Sequence, residues 1–315
     1  MYVKPYGLAN VELSVPPSRE NVFEIGSISK QFVAAAAMLM VEEGTLDLDK
    51  SIHHYVPEIP GEWYGVTMRQ LLTHTSRIPD YEEIASYDIY RFRLTAPEVI
   101  KIAQARPMDF PPGTGWYYSN TGYYLASMIL ERIDGKPLGD ILKARIFDPL
   151  GMTQTRFADP ESIIPNRAAG YWVNKNGELI NRPPTETSST LGAGGLLSSV
   201  VDFAIWDDAL NKTDLLSEAS KSAMWTSVTL PNDETKIGWR GFEGYGFGWL
   251  LGDYLAQRSQ MHTGQVAGFN AEYMRFPDRG MSVVVLSNRY RVSLTPITYA
   301  VVHTFMPDLG PVPVR

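Results

Sequence analysis

The chain has 315 residues, of which 44% are hydrophobic and 20% are charged, so we expect a globular protein of one large domain or two closely packed ones. Its 35 acidic residues outnumber its 28 basic ones and no basic run occurs, which argues against a nucleic-acid partner. The absence of cysteine excludes disulfide bonds, thiol catalysis and thiolate metal sites.

The first 25 residues predict one strand followed by a loop. Leu8 and Val11 are among the apolar positions of that strand, and a proline pair at residues 16–17 ends it. Residues 1–10 hold no apolar core segment, so the chain as given predicts no signal peptide. The compartment stays open: periplasmic or extracellular if a leader was removed, and cytoplasmic otherwise.

The central element of the sequence is an apolar helix that begins with a serine and a lysine. Residues 25–44 read IGSISKQFVAAAAMLMVEEG, and helical geometry places Ser27 and Lys30 one turn apart on the same side. The uncharged apolar run at 32–41 is far shorter than the roughly 18 residues that cross a bilayer. We therefore expect a helix buried in the protein core and no membrane span.

The rest of the chain predicts helices first and strands later. Apolar periodicity and capping signals predict helices at residues 66–74, 96–105, 121–133, 137–147, 199–210, 217–225 and 296–305. A hairpin is predicted around Asn176 and Gly177, and strands at residues 245–251, 259–263, 268–276 and 281–287.

This order of elements predicts one folding unit over residues 1–315. We expect an α/β protein of the α+β type, with an antiparallel sheet flanked by helices and an all-helical insertion. The sheet subdomain is expected at about residues 1–60 and 190–315, and the helical subdomain at about residues 61–189.

Three short motifs follow one another along the chain: SISK at residues 27–30, YSN at 118–120 and HTG at 262–264. A Ser-x-x-Lys match alone is expected by chance roughly 0.7 times in this chain, so it is weak evidence. All three motifs in this order are expected roughly 0.01 times. Their combination therefore indicates a site for nucleophilic catalysis.

The motifs are counterparts of the Ser-x-x-Lys, Ser-Asp-Asn and Lys-Thr-Gly signature of penicillin-binding proteins and related β-lactamases. The sequence resembles the β-lactamase-related serine hydrolases, in the branch that holds class C β-lactamases, DD-carboxypeptidases, D-aminopeptidases and family VIII carboxylesterases. The resemblance runs from about Tyr6 to the C-terminal helix. The segments LLTHTSRIPDY and PPGTGWYYSNTGYYL also resemble sequences of this family. It implies a β-lactamase/transpeptidase-like fold.

The residues of the first two motifs have the chemical groups that acyl transfer requires. Ser27 would attack a carbonyl group, and its hydroxyl needs a nearby base. Lys30 would be that base only if burial lowers its pKa, and Tyr118 would serve if a neighbouring ammonium lowers the pKa of the phenol. Which of the two holds the proton stays open, and Tyr118 is favoured to protonate the leaving group. Asn120 would hold Lys30 or an acyl amide by hydrogen bonds.

The third motif is expected to face the serine. The resemblance implies that the backbone N–H groups of Ser27 and Gln265 form the oxyanion hole, with Thr263 and Gly264 beside the substrate. Many relatives have lysine where this chain has His262. A histidine keeps a hydrogen-bond donor but loses a permanent charge, so we expect weaker recognition of a substrate carboxylate.

The sequence therefore predicts a serine hydrolase with an acyl-enzyme on Ser27, which cleaves a small ester, amide or peptide as a carboxylesterase or D-amino acid peptidase does. A β-lactamase or DD-carboxypeptidase is one alternative. A protein that binds penicillin or senses a ligand without turnover is another.

No cofactor or metal ion is predicted. His53, His54 and His74 lack a further ligand at metal-binding spacing, so we expect turn and capping roles for them. The resemblance also implies a helix and a strand ahead of Tyr6, without which one edge of the sheet lacks a neighbour. A preceding segment, or a second copy in a homodimer, would cover that edge.

Overall fold

The computed structural model describes residues 1–183, 185–231, 237 and 242–312. Its main sheet has five antiparallel strands in the order β10-β9-β8-β7-β6. These strands are β6 (Gly244–Tyr245), β7 (Leu250–Tyr254), β8 (Gln257–Val266), β9 (Phe269–Phe276) and β10 (Met281–Ser287). Because each strand pairs with the next one in sequence, short connections suffice to build the sheet.

Two smaller sheets precede the main one in the chain. A three-stranded sheet has the order β1-β5-β2, and a hairpin pairs β3 with β4. The strands are β1 (Phe23–Glu24), β2 (Arg156–Phe157), β3 (Tyr171–Val173), β4 (Leu179–Asn181) and β5 (Leu196–Ser198). The β3–β4 hairpin confirms the turn predicted at Asn176 and Gly177.

Most of the α-helices lie in the first two thirds of the described chain. They are α1 (Ser29–Glu42), α2 (Met68–Leu72), α3 (Tyr81–Ala85), α4 (Ala96–Ala103), α5 (Asn120–Asp134), α6 (Leu138–Leu142), α7 (Asp148–Leu150), α8 (Val200–Leu210), α9 (Glu218–Met224) and α10 (Thr295–Phe305). A π-helical segment, Lys143–Phe147, joins α6 to α7. Together with the sheets, these helices confirm the predicted mixed fold of an antiparallel sheet flanked by helices.

Helix α1 runs through the main hydrophobic core. All of its residues from Ser29 to Met38 are buried, which fits a helix that is apolar on every side. The four alanines at 34–37 have no exposed surface and present only methyl groups, so neighbouring elements pack close to the helix backbone. Phe32 packs its ring against Phe147 and Trp206 on two other elements of the core.

A buried arginine ties α8 to the main sheet. Arg275 on β9 donates to Asp207 Oδ1 (2.7 Å), to Gln260 Oε1 (3.0 Å) and to Asn211 Oδ1 (2.6 Å). Its guanidinium lies 5.2 Å from the centre of the Trp225 ring. A buried guanidinium is tolerated because a carboxylate and two amide oxygens replace its hydration.

Two predictions about strands are wrong. Residues 1–15 form only an isolated bridge between Asn10 and Val15, and Tyr6 is 75% exposed instead of packing on a sheet. The predicted strand 245–251 is two strands, β6 and β7. Gly248 lies between them with φ +80°, a left-handed conformation that breaks a strand and that glycine adopts without strain.

Three short strands, β1, β2 and β5, were not predicted from the sequence. The two residues of β1 and the three of β5 are too few to show an alternating pattern, yet they pair with each other and hold the chain just before α1. Helix α3 was missed for the same reason, since it has only five residues. Within the described residues, no helix is long and apolar enough to span a membrane.

The arginine cluster generates a stability prediction. We expect Asp207→Ala to lower the free energy of unfolding by about 3 kcal/mol, because it leaves the guanidinium of Arg275 buried without its carboxylate. The matched control is Asp208→Ala, which removes an exposed carboxylate paired with Lys212 and should change stability by less than about 0.5 kcal/mol. Urea unfolding followed by circular dichroism measures both; equal effects of the two substitutions would contradict the assigned role of Asp207.

Candidate active site

The structure brings the serine and the lysine of the first motif together. Ser27 lies in a 3-10 turn, Gly26–Ile28, that leads into α1, and Lys30 lies in the first turn of that helix. Lys30 Nζ is 3.0 Å from Ser27 Oγ, 2.9 Å from Asn120 Oδ1 and 2.6 Å from the Ala193 carbonyl oxygen. The lysine amine is thus held by three oxygen atoms, one of them on the serine.

Burial changes the proton affinity of this amine. The Lys30 side chain has no exposed surface, and the loss of hydration lowers its pKa from the ordinary value of 10.5 to about 7. The carboxylates of Asp80 and Glu82 act in the opposite direction and keep the pKa from falling further. At neutral pH, the neutral amine is therefore well populated.

The two carboxylates also fix the orientation of Asn120, the first residue of α5. Asn120 Nδ2 donates to Asp80 Oδ2 (3.1 Å) and to Glu82 Oε2 (2.9 Å), and the Asn120 backbone N–H donates to Asp80 Oδ2 (2.9 Å). Carboxylates accept from the amide nitrogen only, so the amide oxygen must point to Lys30. Tyr90 donates its hydroxyl hydrogen to Glu82 and holds that carboxylate in turn.

Tyr118 lies over the lysine amine. Lys30 Nζ is 4.9 Å from the centre of the Tyr118 ring and 5.4 Å from that of Tyr123. The Tyr118 ring also lies 4.2 Å from the ring of His74, measured between ring centres. The second motif thus places its tyrosine and its asparagine on Lys30 at the same time.

Strand β8 carries the third motif past the serine. A Cβ atom on Gly264 would lie 1.8 Å from the Ile25 carbonyl oxygen, and one on Gly26 would lie 2.5 Å from the Gln265 backbone nitrogen. Both positions therefore require glycine for close approach of the two backbones. The approach places the Gln265 N–H next to the turn that holds Ser27. That the N–H groups of Ser27 and Gln265 form the oxyanion hole stays a prediction. Thr263 is the strand residue between His262 and Gly264.

His262 differs from the expectation that it offers a donor to substrate. Its side chain is fully buried, its Nε2 lies 3.1 Å from the Tyr245 hydroxyl, and its Nδ1 lies 2.6 Å from the Thr263 carbonyl oxygen. Both ring nitrogens thus bond within the protein. Tyr245 was not predicted as a site residue.

Several other residues of the site were not predicted from the sequence. Asp80 belongs to the family-like phrase LLTHTSRIPDY, and Glu82 follows it, but the sequence shows no partner for either. His74, predicted to be a turn residue, does occupy a turn with φ +62°, but its ring also enters the site. The contacts of these residues join segments about 40 to 170 positions apart, which no local pattern reveals.

Two adjoining cavities lie near the site. The smaller one touches Gly194, whose Cβ would lie within 3.7 Å of Gly26, and it shares Tyr90, Thr185 and Ala267 with the larger one. The larger cavity has a volume of about 330 Å³, and its walls include Trp172 and Tyr290. The described residues include no group of three or more acidic or histidine side chains that could hold a metal ion.

Comparison with known proteins places the chain in a family. Residues 1–300 match the family model described as beta-lactamase. The chain is 31% identical over 306 residues to penicillin-binding protein 4* of Bacillus subtilis (strain 168), a match that covers 92% of this chain and 65% of that protein. The chain therefore spans slightly less than two thirds of that relative.

Solved structures show the same fold. The octameric penicillin-binding protein homologue from Pyrococcus abyssi superposes with a TM-score of 0.84 at 31% identity, covering 97% of this chain and 70% of that one. D-amino acid amidase from Ochrobactrum anthropi SV3, in its complex with L-phenylalanine amide, superposes with a TM-score of 0.77 at 29% identity, covering 90% and 81%. With the family match, these similarities confirm the resemblance inferred from the three motifs. The chain belongs to the beta-lactamase family of serine hydrolases.

Proposed function

We propose that this protein hydrolyses an ester or amide through an acyl-enzyme on Ser27, with Lys30 as the base. The observation that carries the proposal is the setting of the lysine amine, which is fully buried and 3.0 Å from Ser27 Oγ. A neutral amine has two hydrogens and one lone pair. The hydrogens fit the oxygens of Asn120 and Ala193, so the lone pair is left for the serine hydroxyl.

The reaction proceeds through acylation and then deacylation of Ser27. Lys30 takes the Ser27 proton while Oγ attacks the carbonyl carbon, and the N–H groups of Ser27 and Gln265 stabilise the oxyanion. As the intermediate collapses, Tyr118 protonates the leaving alcohol or amine and regains a proton from Lys30. Water then attacks the acyl-enzyme by the reverse of these proton transfers and releases the acid.

The substrate class follows from the same site. His262 is buried and both of its ring nitrogens bond within the protein, so it supplies no exposed cation for a substrate carboxylate. A D-amino acid amide, or a short ester, needs no such cation, and the similarity to a D-amino acid amidase supports this class. A β-lactam or a peptide with a terminal carboxylate would be a poorer substrate.

Replacement of the nucleophile tests the proposal. We expect Ser27→Ala to lower turnover of p-nitrophenyl butyrate and of D-phenylalanine amide by at least about 10³-fold. Intact-mass spectrometry after incubation with a fluorophosphonate should show one adduct on the wild-type protein and none on Ser27→Ala.

The control is Ser29→Ala, since the Ser29 hydroxyl accepts from the Leu196 N–H and lies outside the lysine contacts. This variant should still be labelled. Unchanged turnover in Ser27→Ala would refute the proposal. A wild-type protein that keeps a penicillin adduct but turns over no substrate would favour a penicillin-binding or sensor protein instead.

The carboxylates near Lys30 generate a prediction about pH. The base must be neutral, so kcat/KM should fall as the pH drops through the pKa of Lys30, near 7. Glu82→Gln keeps an oxygen for Asn120 but removes a negative charge that raises this pKa. We expect the acid limb of kcat/KM to move to lower pH, by on the order of one unit.

Glu83→Gln is the matched control, because Glu83 is exposed, lies on the same helix and accepts from Tyr117 instead of Asn120. Its acid limb should stay in place. A shift to higher pH in Glu82→Gln would show that Lys30 does not set this limb.

A further inference from the structure

Three buried rings connect the loop of the second motif to the strand of the third. His74 follows α2, Tyr245 lies in β6 and His262 lies in β8. His74 Nε2 is 3.1 Å from the Tyr245 hydroxyl oxygen, and that oxygen is 3.1 Å from His262 Nε2. We call this chain of hydrogen bonds the His74–Tyr245–His262 relay.

A backbone group fixes the proton at one end of the relay. The Ser119 N–H donates to His74 Nδ1 (3.2 Å), so this nitrogen carries no hydrogen. Burial holds the pKa of His74 well below its usual value, and any charge on Lys30 or His262 lowers it further, so the ring is neutral. Its single hydrogen must then lie on Nε2, which donates to the Tyr245 oxygen.

A second backbone group fixes the other end. The Thr263 carbonyl can only accept, so His262 Nδ1 carries a hydrogen and donates to it. His262 is fully buried, where an unpaired cation is costly, and a charge on its ring would also lower the pKa of the neighbouring His74. In the neutral ring, Nε2 accepts from the Tyr245 hydroxyl. Tyr245 therefore accepts from His74 and donates to His262, which is consistent with the hydrogen positions at both ends of the relay.

The surroundings of the relay are mainly aromatic. The groups that act on its members include Trp116, Tyr118, Tyr123 and Lys30, and Tyr123 also forms a side-chain hydrogen bond with Tyr245. Tyr118 packs against His74, with ring centres 4.2 Å apart, and lies 6.2 Å from His262. The relay thus flanks the tyrosine that we expect to protonate the leaving group.

We propose that His74 and Tyr245 are positioning residues that hold His262 as the neutral Nδ1–H tautomer beside Tyr118. In this form, the HTG motif presents neither a cation nor a free side-chain N–H to the substrate. The effect on turnover rests on the proposed function, whereas the tautomer of His262 does not depend on any activity.

Nitrogen NMR tests the tautomers directly. In long-range ¹H–¹⁵N spectra of the ¹⁵N-labelled full chain between pH 6 and 8, we expect a protonated Nδ1 for His262 and a protonated Nε2 for His74. The signals are assigned by replacing each of the five histidines in turn. An imidazolium, or a protonated Nε2, at His262 would overturn the proposal even if the enzyme is fully active.

Removal of the central hydroxyl tests its role in turnover. In Tyr245→Phe, His262 Nε2 loses its donor, so we expect a mixture of His262 tautomers and a kcat lowered by roughly tenfold with KM nearly unchanged. His74→Gln, which can still donate to Tyr245, should retain more activity than His74→Leu.

Tyr254→Phe is the matched control. Tyr254 is a buried tyrosine of β7 whose hydroxyl bonds to another histidine, His303 Nε2, at 2.8 Å. This variant should leave both the His262 spectrum and kcat unchanged. If Tyr245→Phe kept the wild-type His262 tautomer and kcat, the relay would have no positioning role; if it failed to fold, the wild-type spectra alone would decide.

Discussion

The burial of one amine, that of Lys30, is the constraint on which the rest of the site depends. An ammonium group removed from water is costly unless other groups replace its hydration. Here a serine hydroxyl, an amide oxygen and a backbone carbonyl surround it, each carried by a different part of the chain. Since these parts meet only in the folded protein, the reactivity of the site depends on the packing of the apolar core around α1.

The electrostatics of the site differ on the two sides of this amine. Asp80 and Glu82 lie on the side of Asn120, and burial raises the pKa of Asp80 to about 6. Elsewhere the amine faces the aromatic rings of Tyr118 and Tyr123. Asp80 and Lys30 also act on each other, since the carboxylate raises the pKa of the amine and the ammonium lowers the pKa of the carboxyl group.

Local patterns in the sequence predicted much of the fold. Capping signals placed α8 and α9 to within a residue or two, and the tight connection at residues 277–280 separated β9 from β10, because these signals act between near neighbours. The three motifs named residues that the structure does bring together. The carboxylate that orients Asn120 and the hydroxyl that bonds to His262 could not be predicted, since Asp80 and Tyr245 reach the site only through long-range packing.

Gly264, the glycine of the third motif, has a structural role that does not depend on catalysis. A Cβ atom placed on Gly264 would lie only 1.8 Å from the Ile25 carbonyl oxygen, so strand β8 rests directly on the backbone ahead of α1. That contact is part of the fold whether or not a substrate ever binds. A relative that has lost its serine would therefore still be under pressure to keep this glycine, so its presence alone is no evidence of an active enzyme.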